Sequence, residues 1–243
     1  VTTLVLSDVH ANLEALEAVL ADAGPVDEVW FLGDAVGYGP DPNACVERLM
    51  ALKPQWWLAG NHDLAALGHM DLADFNPEAR LAAEWTGRAL NPAVRQQLEQ
   101  VTPRLDLPGE RYTLVHGSPR HPVWEYILDV GTATENFEAF DTPIAFFGHT
   151  HVPVIYEQAL DGTLRLPVPL GQPLKPGEGR RLINPGSVGQ PRDGDPRASY
   201  LLLDVDTGAV TFRRVAYDIA VVQAKILDAG LPPRLASRLA LGW

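Results

Sequence analysis

Thiols and amines are both scarce in this chain. Cys45 is its single cysteine, and lysine occurs three times, as Lys53, Lys175 and Lys225. One cysteine excludes an internal disulfide and makes a cytoplasmic location the default expectation. Cys45 falls within NACVERLMAL, an apparent helix, and reads as a small buried apolar group rather than a nucleophile. Lys and Arg together number 19 against 31 acidic residues, a formal net charge of -12. That deficit argues against a broad nucleic-acid surface, which rests on many basic contacts to phosphates. An acidic enzyme acting on an anionic substrate must concentrate its positive charge locally, and bound metal cations do this. No apolar run is long enough to span a membrane. Val1 passes at once into TTLVLSD, and no signal peptide is expected ahead of the first strand.

What remains is an ordinary globular composition, 46% apolar over 243 residues, enough for one large domain or two small ones to bury a core. The opening 63 residues alternate strand and helix. Thr3 to Ser7 is an apolar run without polar alternation, as in a buried parallel strand. Asn12 to Ala23 carries a helical stripe at Leu13, Leu16, Val19 and Leu20, ended by Gly24-Pro25. Glu28 to Leu32, Pro42 to Leu52 and Trp56 to Ala59 continue as strand, helix and strand, which implies a parallel sheet with helices on its faces. Asn76-Pro77 and Asn91-Pro92 mark helix starts. Thr132-x-x-Glu135 resembles a capping box. Strands are expected at Tyr112 to Val115 and Ile144 to Phe147. From residue 152 the pattern turns antiparallel. Val154 to Gln158 and Leu164 to Val168 flank the hairpin signal Asp161-Gly162, and Arg181 to Ile183, Tyr200 to Asp204 and Val210 to Val215 follow. Residues 169–180 read as an exposed Pro/Gly-rich loop, and Ile219 to Leu239 as two short helical stretches.

Polar clusters sit where strands end: Asp8-x-His10, Gly33-Asp34, Gly60-Asn61-His62-Asp63, His116-Gly117 and Gly148-His149-Thr150-His151. Ligands of open α/β sheets bind beyond the carboxyl ends of the strands, so the five clusters should converge. A lone DxH or Gly-Asp is weak, and a single His near a strand end is usually structural. Five clusters at five such ends are hard to assign to chance. They supply carboxylates (Asp8, Asp34), imidazoles (His10, His116, His149, His151) and an amide (Asn61). Imidazole with carboxylate suits Zn, Fe, Mn, Co or Ni, and the lack of thiolate argues against a structural zinc cage. The i, i+2 spacing of Asp8 with His10, and of His149 with His151, points both side chains one way if the chain there is extended. Seven candidates exceed what one open site needs, and suit two ions sharing a carboxylate. His69 reads as a surface helix residue, and His121 could pack at the surface or line the pocket.

The motif series resembles the calcineurin-like metallophosphoesterase superfamily over the whole chain. It runs through LSDVHAN (6–12), FLGDAVGYGPDP (31–42), GNHD (60–63), VHGSP (115–119), FGHTHVP (147–153) and NPGSVGQPRDGDPRASY (184–200). The segments 31–42 and 184–200 look like the compact bacterial branch of phosphodiesterase-like members. The resemblance implies an α/β fold, a four-layer α/β/β/α sandwich with two central mixed sheets flanked by helices. It implies one domain over 1–243, with a helical cap at about 64–102. It also implies that Asp8, His10, Asp34 and His151 hold one metal, and that Asp34, Asn61, His116 and His149 hold the second. His62 would contact the scissile phosphate and protonate the leaving oxygen, and Asp63 would orient the His62 ring.

The expected reaction is hydrolysis of a small-molecule or nucleotide-like phosphate ester, a diester in preference, by metal-activated water. A phosphomonoesterase, either a protein phosphatase or a dinucleoside-polyphosphate hydrolase, would use the same cradle. A non-catalytic scaffold on this fold would be expected to lack ligands, and no motif position is lost. Arg120, Trp124, Tyr126 and Arg192 are candidates for holding the organic part of the substrate. The loop Gly37-Tyr38-Gly39-Pro40 either admits substrate to the backbone or is a plain turn.

Overall fold

Side-chain alternation along the first strand sets the layering. In β1 (Thr2–Leu6), Leu4 and Leu6 enter one apolar cluster and Val5 enters another. A strand buried on both faces must do this. The computed structural model describes residues 1–107 and 111–243. After β1 come α1 (Leu13–Ala23), β2 (Glu28–Phe31), α2 (Pro42–Leu52) and β3 (Trp56–Trp57). The helices α3 (Asn61–Leu67), α4 (Pro77–Ala89) and α5 (Pro92–Leu98) follow, then β4 (Arg104–Asp106), β5 (Tyr112–Val115), α6 (Val130–Asn136) and β6 (Ile144–Phe146). The rest is β7 (Val154–Ala159), β8 (Gly162–Leu166), β9 (Arg181–Asn184), β10 (Ala198–Asp204), β11 (Ala209–Val215), α7 (Ile219–Asp228) and α8 (Pro233–Ser237), with a 3-10 turn at Arg238–Leu241.

Two mixed sheets result. The first has the order β11-β10-β1-β2-β3 and the second β4-β5-β6-β9-β7-β8. β1, β2 and β3 are parallel, as are β5, β6 and β9. The antiparallel C-terminal strands extend these sheets, since β10 pairs with β1 and β7 pairs with β9. Val5, Trp30, Leu201 and Phe212 of the first sheet meet Leu114, Ile144, Phe146 and Ile183 of the second in one inter-sheet core. On the outer face of the first sheet, Leu16 and Val19 of α1 and Val46 and Leu49 of α2 pack on Leu4, Phe31 and Tyr200. Ala133 and Phe137 do the same for the second, against Ala145, Phe147 and Tyr156. This is the four-layer sandwich.

Local signals acted as expected at most helix starts. Asn12, Asn76 and Asn91 accept from the amides of Ala15, Ala79 and Val94. The capping box at Thr132 is corrected: the cap lies three residues earlier, at Asp129, which accepts from the Thr132 amide. Asp129 outcompetes the threonine because it reaches that third amide from outside the helix. The third strand is two residues long rather than four, and Ala59 instead donates to the Thr102 carbonyl at 2.9 Å. The loop 169–180 is largely exposed, with bridges from Leu170 and Leu174 to β11. Among the described residues no helix is long and apolar enough to cross a membrane.

Leu201 is fully buried between the sheets. Leu201→Ala should therefore cost about 2–5 kcal/mol in urea unfolding with an unchanged m value. A loss below about 0.5 kcal/mol, within the range of an ordinary surface change, would contradict the packing of the two layers.

Candidate metal centre

The site is built from strained backbone. Asp8, His10, Asp34, His149 and His151 all have positive φ, between 48° and 64°. The sequence expectation that an extended chain aims each i, i+2 pair is therefore corrected. The chain turns sharply at these positions, and left-handed turns bring the side chains inward. A non-glycine residue in that region costs about 1–2 kcal/mol, so five at one place must be held by their surroundings.

The loops hold one another. The Asp8 and His10 amides donate to the carbonyls of Gly33 and Asp34, both at 3.0 Å. The Ser187 hydroxyl and the Gly189 amide donate to the Asp8 carbonyl at 2.8 and 2.9 Å. Asn184 donates to the Gly148 carbonyl at 2.7 Å and to the Thr150 hydroxyl at 2.9 Å. At Gly60 a Cβ would overlap the Asp34 carboxylate, so only glycine lets the third loop come this close.

Backbone carbonyls fix the imidazole tautomers, because a carbonyl only accepts. His10 Nδ1 donates to Val36 at 3.1 Å, His116 Nδ1 to Leu32 at 2.8 Å, and His151 Nδ1 to Gln190 at 2.6 Å. His149 uses its other nitrogen, with Nε2 donating to Trp124 at 3.2 Å. When the rings are neutral, the remaining nitrogen of each offers a bare lone pair. His10 Nε2 and His151 Nε2 face each other at 3.0 Å. His116 Nε2 faces the amide oxygen of Asn61 at 3.1 Å. Asp34 Oδ2 lies 3.5 Å from His10 Nε2 and 3.4 Å from His116 Nε2, is buried, and has no hydrogen-bond partner. Asp8 Oδ1 lies 3.3 Å from His151 Nε2. Two sets of potential ligands emerge, Asp8, His10, Asp34 and His151, and Asp34, His116 and His149. Acceptors crowded this way fit divalent cations, which relieve several lone pairs at once.

The charges agree. Burial works to raise Asp8 and Asp34, yet the imidazoles around them hold both carboxyls below the usual range. Burial lowers His10 and His151, and takes His149 down to about 3. His116 is the exception. Burial opposes its charge, but the Asp34 and Asp8 carboxylates prevail and raise it to about 9.

His62 lies beside the set. Its ring is 4.9 Å from His10, 4.2 Å from Tyr38 and 5.2 Å from Phe75. Burial lowers it to about 4, and its Nδ1 has no partner. The expectation that Asp63 accepts from the His62 ring is corrected. Asp63 accepts from the amides of Asp34, Val36 and Gly60 at 2.9, 3.1 and 3.0 Å. As the third residue of α3 it reaches back to the helix start, and so ties the loops after β2 and β3 together.

Of the other candidates, Tyr126 stacks on His149 with ring centroids 4.0 Å apart, and Trp124 contributes its carbonyl. The Arg192 amide donates to the His151 carbonyl at 3.4 Å. Arg120 is not brought to the cluster, since Glu125 and Glu135 engage its guanidinium. His121 is exposed, and His69 pairs with Glu99 at the surface, beyond the end of α3. Sequence reasoning missed Tyr38, Phe75 and Arg238. Tyr38 carries a signal, its place between Gly37 and Gly39, but only structure shows its φ of 61° and where its ring goes.

The comparisons with known proteins agree with this geometry. Residues 2–208 match the family model for the calcineurin-like phosphoesterase superfamily domain. A metallophosphoesterase from Sphaerobacter thermophilus is 51% identical, with a TM-score of 0.90 over 100% of this chain and 99% of that one. An uncharacterized protein of Methanocaldococcus jannaschii is 37% identical over 98% of this chain and 97% of its own length. A hypothetical protein of Pyrococcus horikoshii, 20% identical over 100% of this chain and 98% of that one, shares the fold with a TM-score of 0.80.

A metal that takes the His116 lone pair must displace its proton. Apparent affinity for Mn²⁺ should therefore rise with pH, about tenfold per unit, until it levels above about 9. In the metal-free protein, the stability contributed by the His116 ion pair is complete below pH 6.5 and lost as pH rises through about 9. Asp63, raised to about 7 by burial and the Asp34 carboxylate, also removes stability as pH rises from 3.8 to about 7. Calorimetric titrations at several pH values, with urea unfolding of metal-free protein, check both signs. Flat profiles would contradict them.

Proposed function

The chain belongs to the calcineurin-like phosphoesterase superfamily, and from that premise we propose that it hydrolyses a phosphodiester at a centre of two divalent cations. The observation that carries the reading is the ring of bare acceptors around the unpartnered Asp34 Oδ2. Asp8, His10, Asp34 and His151 would hold one cation. Asp34, Asn61, His116 and His149 would hold the other, with Asp34 shared. Mn, Fe, Zn, Ni and Co all suit such ligands. The cations, when bound, acidify water and offset phosphoryl charge.

The remaining work falls to the protein. His62 stands beside the ligands, its ring edge to face with that of His10, and would give a proton or hydrogen bond to the leaving oxygen. Asp63 is a positioning residue, holding the loop that presents Asp34. Residues 64–102 would act as a helical cap, with Phe75 on the His62 ring and on Trp124. Trp124 and Tyr126 would wall the side nearest His149. Preference for diesters rests on the phosphodiesterase-like segments 31–42 and 184–200. A phosphomonoesterase is the alternative. Buried apolar Cys45, with no second thiol, is consistent with a cytoplasmic setting.

Chelator-stripped protein should lose hydrolysis of bis-p-nitrophenyl phosphate and regain it with Mn²⁺. Full activity after verified stripping would overturn the metal reading. A kcat/KM higher on p-nitrophenyl phosphate than on the diester would reverse the substrate order. Asp34→Asn should lower metal content and activity together. His62→Gln should keep its metals while kcat falls by roughly 10²–10⁴-fold, and less for better leaving groups. If His62→Gln loses a metal, His62 is a ligand and the roles are wrong.

A further inference from the structure

In a chain this acidic most guanidiniums are claimed by carboxylates. Arg48 pairs with Glu17, Arg104 with Asp106, Arg181 with Glu157, Arg197 with Asp195 and Arg213 with Asp22. Two arginines at the edge of the metal centre have other partners. Arg192 donates from Nε and Nη2 to the neutral amide oxygen of Gln190, at 3.3 and 2.8 Å. Arg238 donates from Nε to the main-chain oxygen of Trp243, the last residue of the sequence. Neither pairs with an Asp or Glu side chain among the described residues.

Both guanidiniums lie over the Tyr38 ring, Arg192 at 5.6 Å and Arg238 at 6.0 Å from its centroid. The same ring touches His62 and His10. The pair therefore stands one side chain away from the catalytic cluster. The two cations also feel each other: burial and then Arg192 lower Arg238 to about 10. Like charges held close and half-buried are costly unless an anion joins them. The flat fork of arginine suits phosphate oxygens. From Arg238 a groove of about 330 Å³ continues between Asn76 and Glu78 of the α4 start and Arg234, Leu235 and Trp243 of the tail. Arg238 lies outside the residues that match the family model, so this arm belongs to the C-terminal segment of this chain.

We propose that Arg192 and Arg238 bind a second phosphoryl group, and that the substrate is an organic phosphodiester carrying a separate phosphate monoester. The scissile group sits at the metal centre and the second group on the guanidinium pair. This rests on the phosphoesterase reading for the first group only.

Two probes separate the claims. Thymidine 3′,5′-bisphosphate and thymidine 5′-monophosphate are titrated calorimetrically into Mn²⁺-loaded protein. The bisphosphate should bind about tenfold tighter or more, the scale of one or two charge-assisted contacts. In Arg238→Ala and in Arg192→Ala that advantage should fall below about threefold, and Arg238→Lys, which keeps the charge, should retain part of it. Equal binding of the two probes by the wild type overturns the proposal, as does an undiminished advantage in both alanine variants. Hydrolysis of the 5′-(p-nitrophenyl phosphate) of thymidine, with and without a 3′-phosphate, is measured in parallel. No turnover of either, together with an arginine-dependent bisphosphate advantage, removes the phosphoesterase reading and leaves the subsite. Turnover of both with equal kcat/KM and no binding advantage removes the subsite and leaves the enzyme.

Discussion

Two imidazole nitrogens with bare lone pairs face each other at 3.0 Å, and much of the molecule is arranged to keep them there. Neither ring can turn to relieve the repulsion, since the far nitrogen of each is bound to a backbone carbonyl. Asp34 and Asp8 add carboxylates to the same small volume. Such crowding is tolerable when a positive charge sits at its middle. Without metal, a proton on His116 supplies part of that charge. Bound cations would supply the rest.

The fold meets this demand by placing the ends of parallel strands from two sheets at one edge. The loops of the site then brace one another: the loop after β9 holds Asp8 through Ser187 and Gly189, and Asp63 holds the loop after β2. These bonds offset the strain of five left-handed non-glycine residues. Strain concentrated beside a braced, buried, polar cluster is the signature of a site shaped for a ligand rather than for stability.

Much of this was legible in the sequence. Alternating strand and helix in residues 1–63 marked the three parallel strands of the first sheet, and the polar clusters after strands named all seven residues that crowd together. What could not be read was backbone conformation. An i, i+2 pair suggests an extended chain, and at Asp8/His10 and His149/His151 the chain is left-handed instead. Nor does sequence spacing reveal that Asp63 serves three backbone amides, because its partners at Asp34 and Val36 are distant in the chain. The same limit hid Arg238. Its meeting with Tyr38 joins residues about two hundred positions apart, and no local pattern announces it.

The account stands or falls on the cations proposed for this site. Equilibrium dialysis of chelator-stripped wild-type protein against Mn²⁺ at pH 8, followed by elemental analysis, counts them directly. Two manganese ions per chain are predicted. No bound manganese, with His10 and His151 still buried in folded protein, would contradict the account.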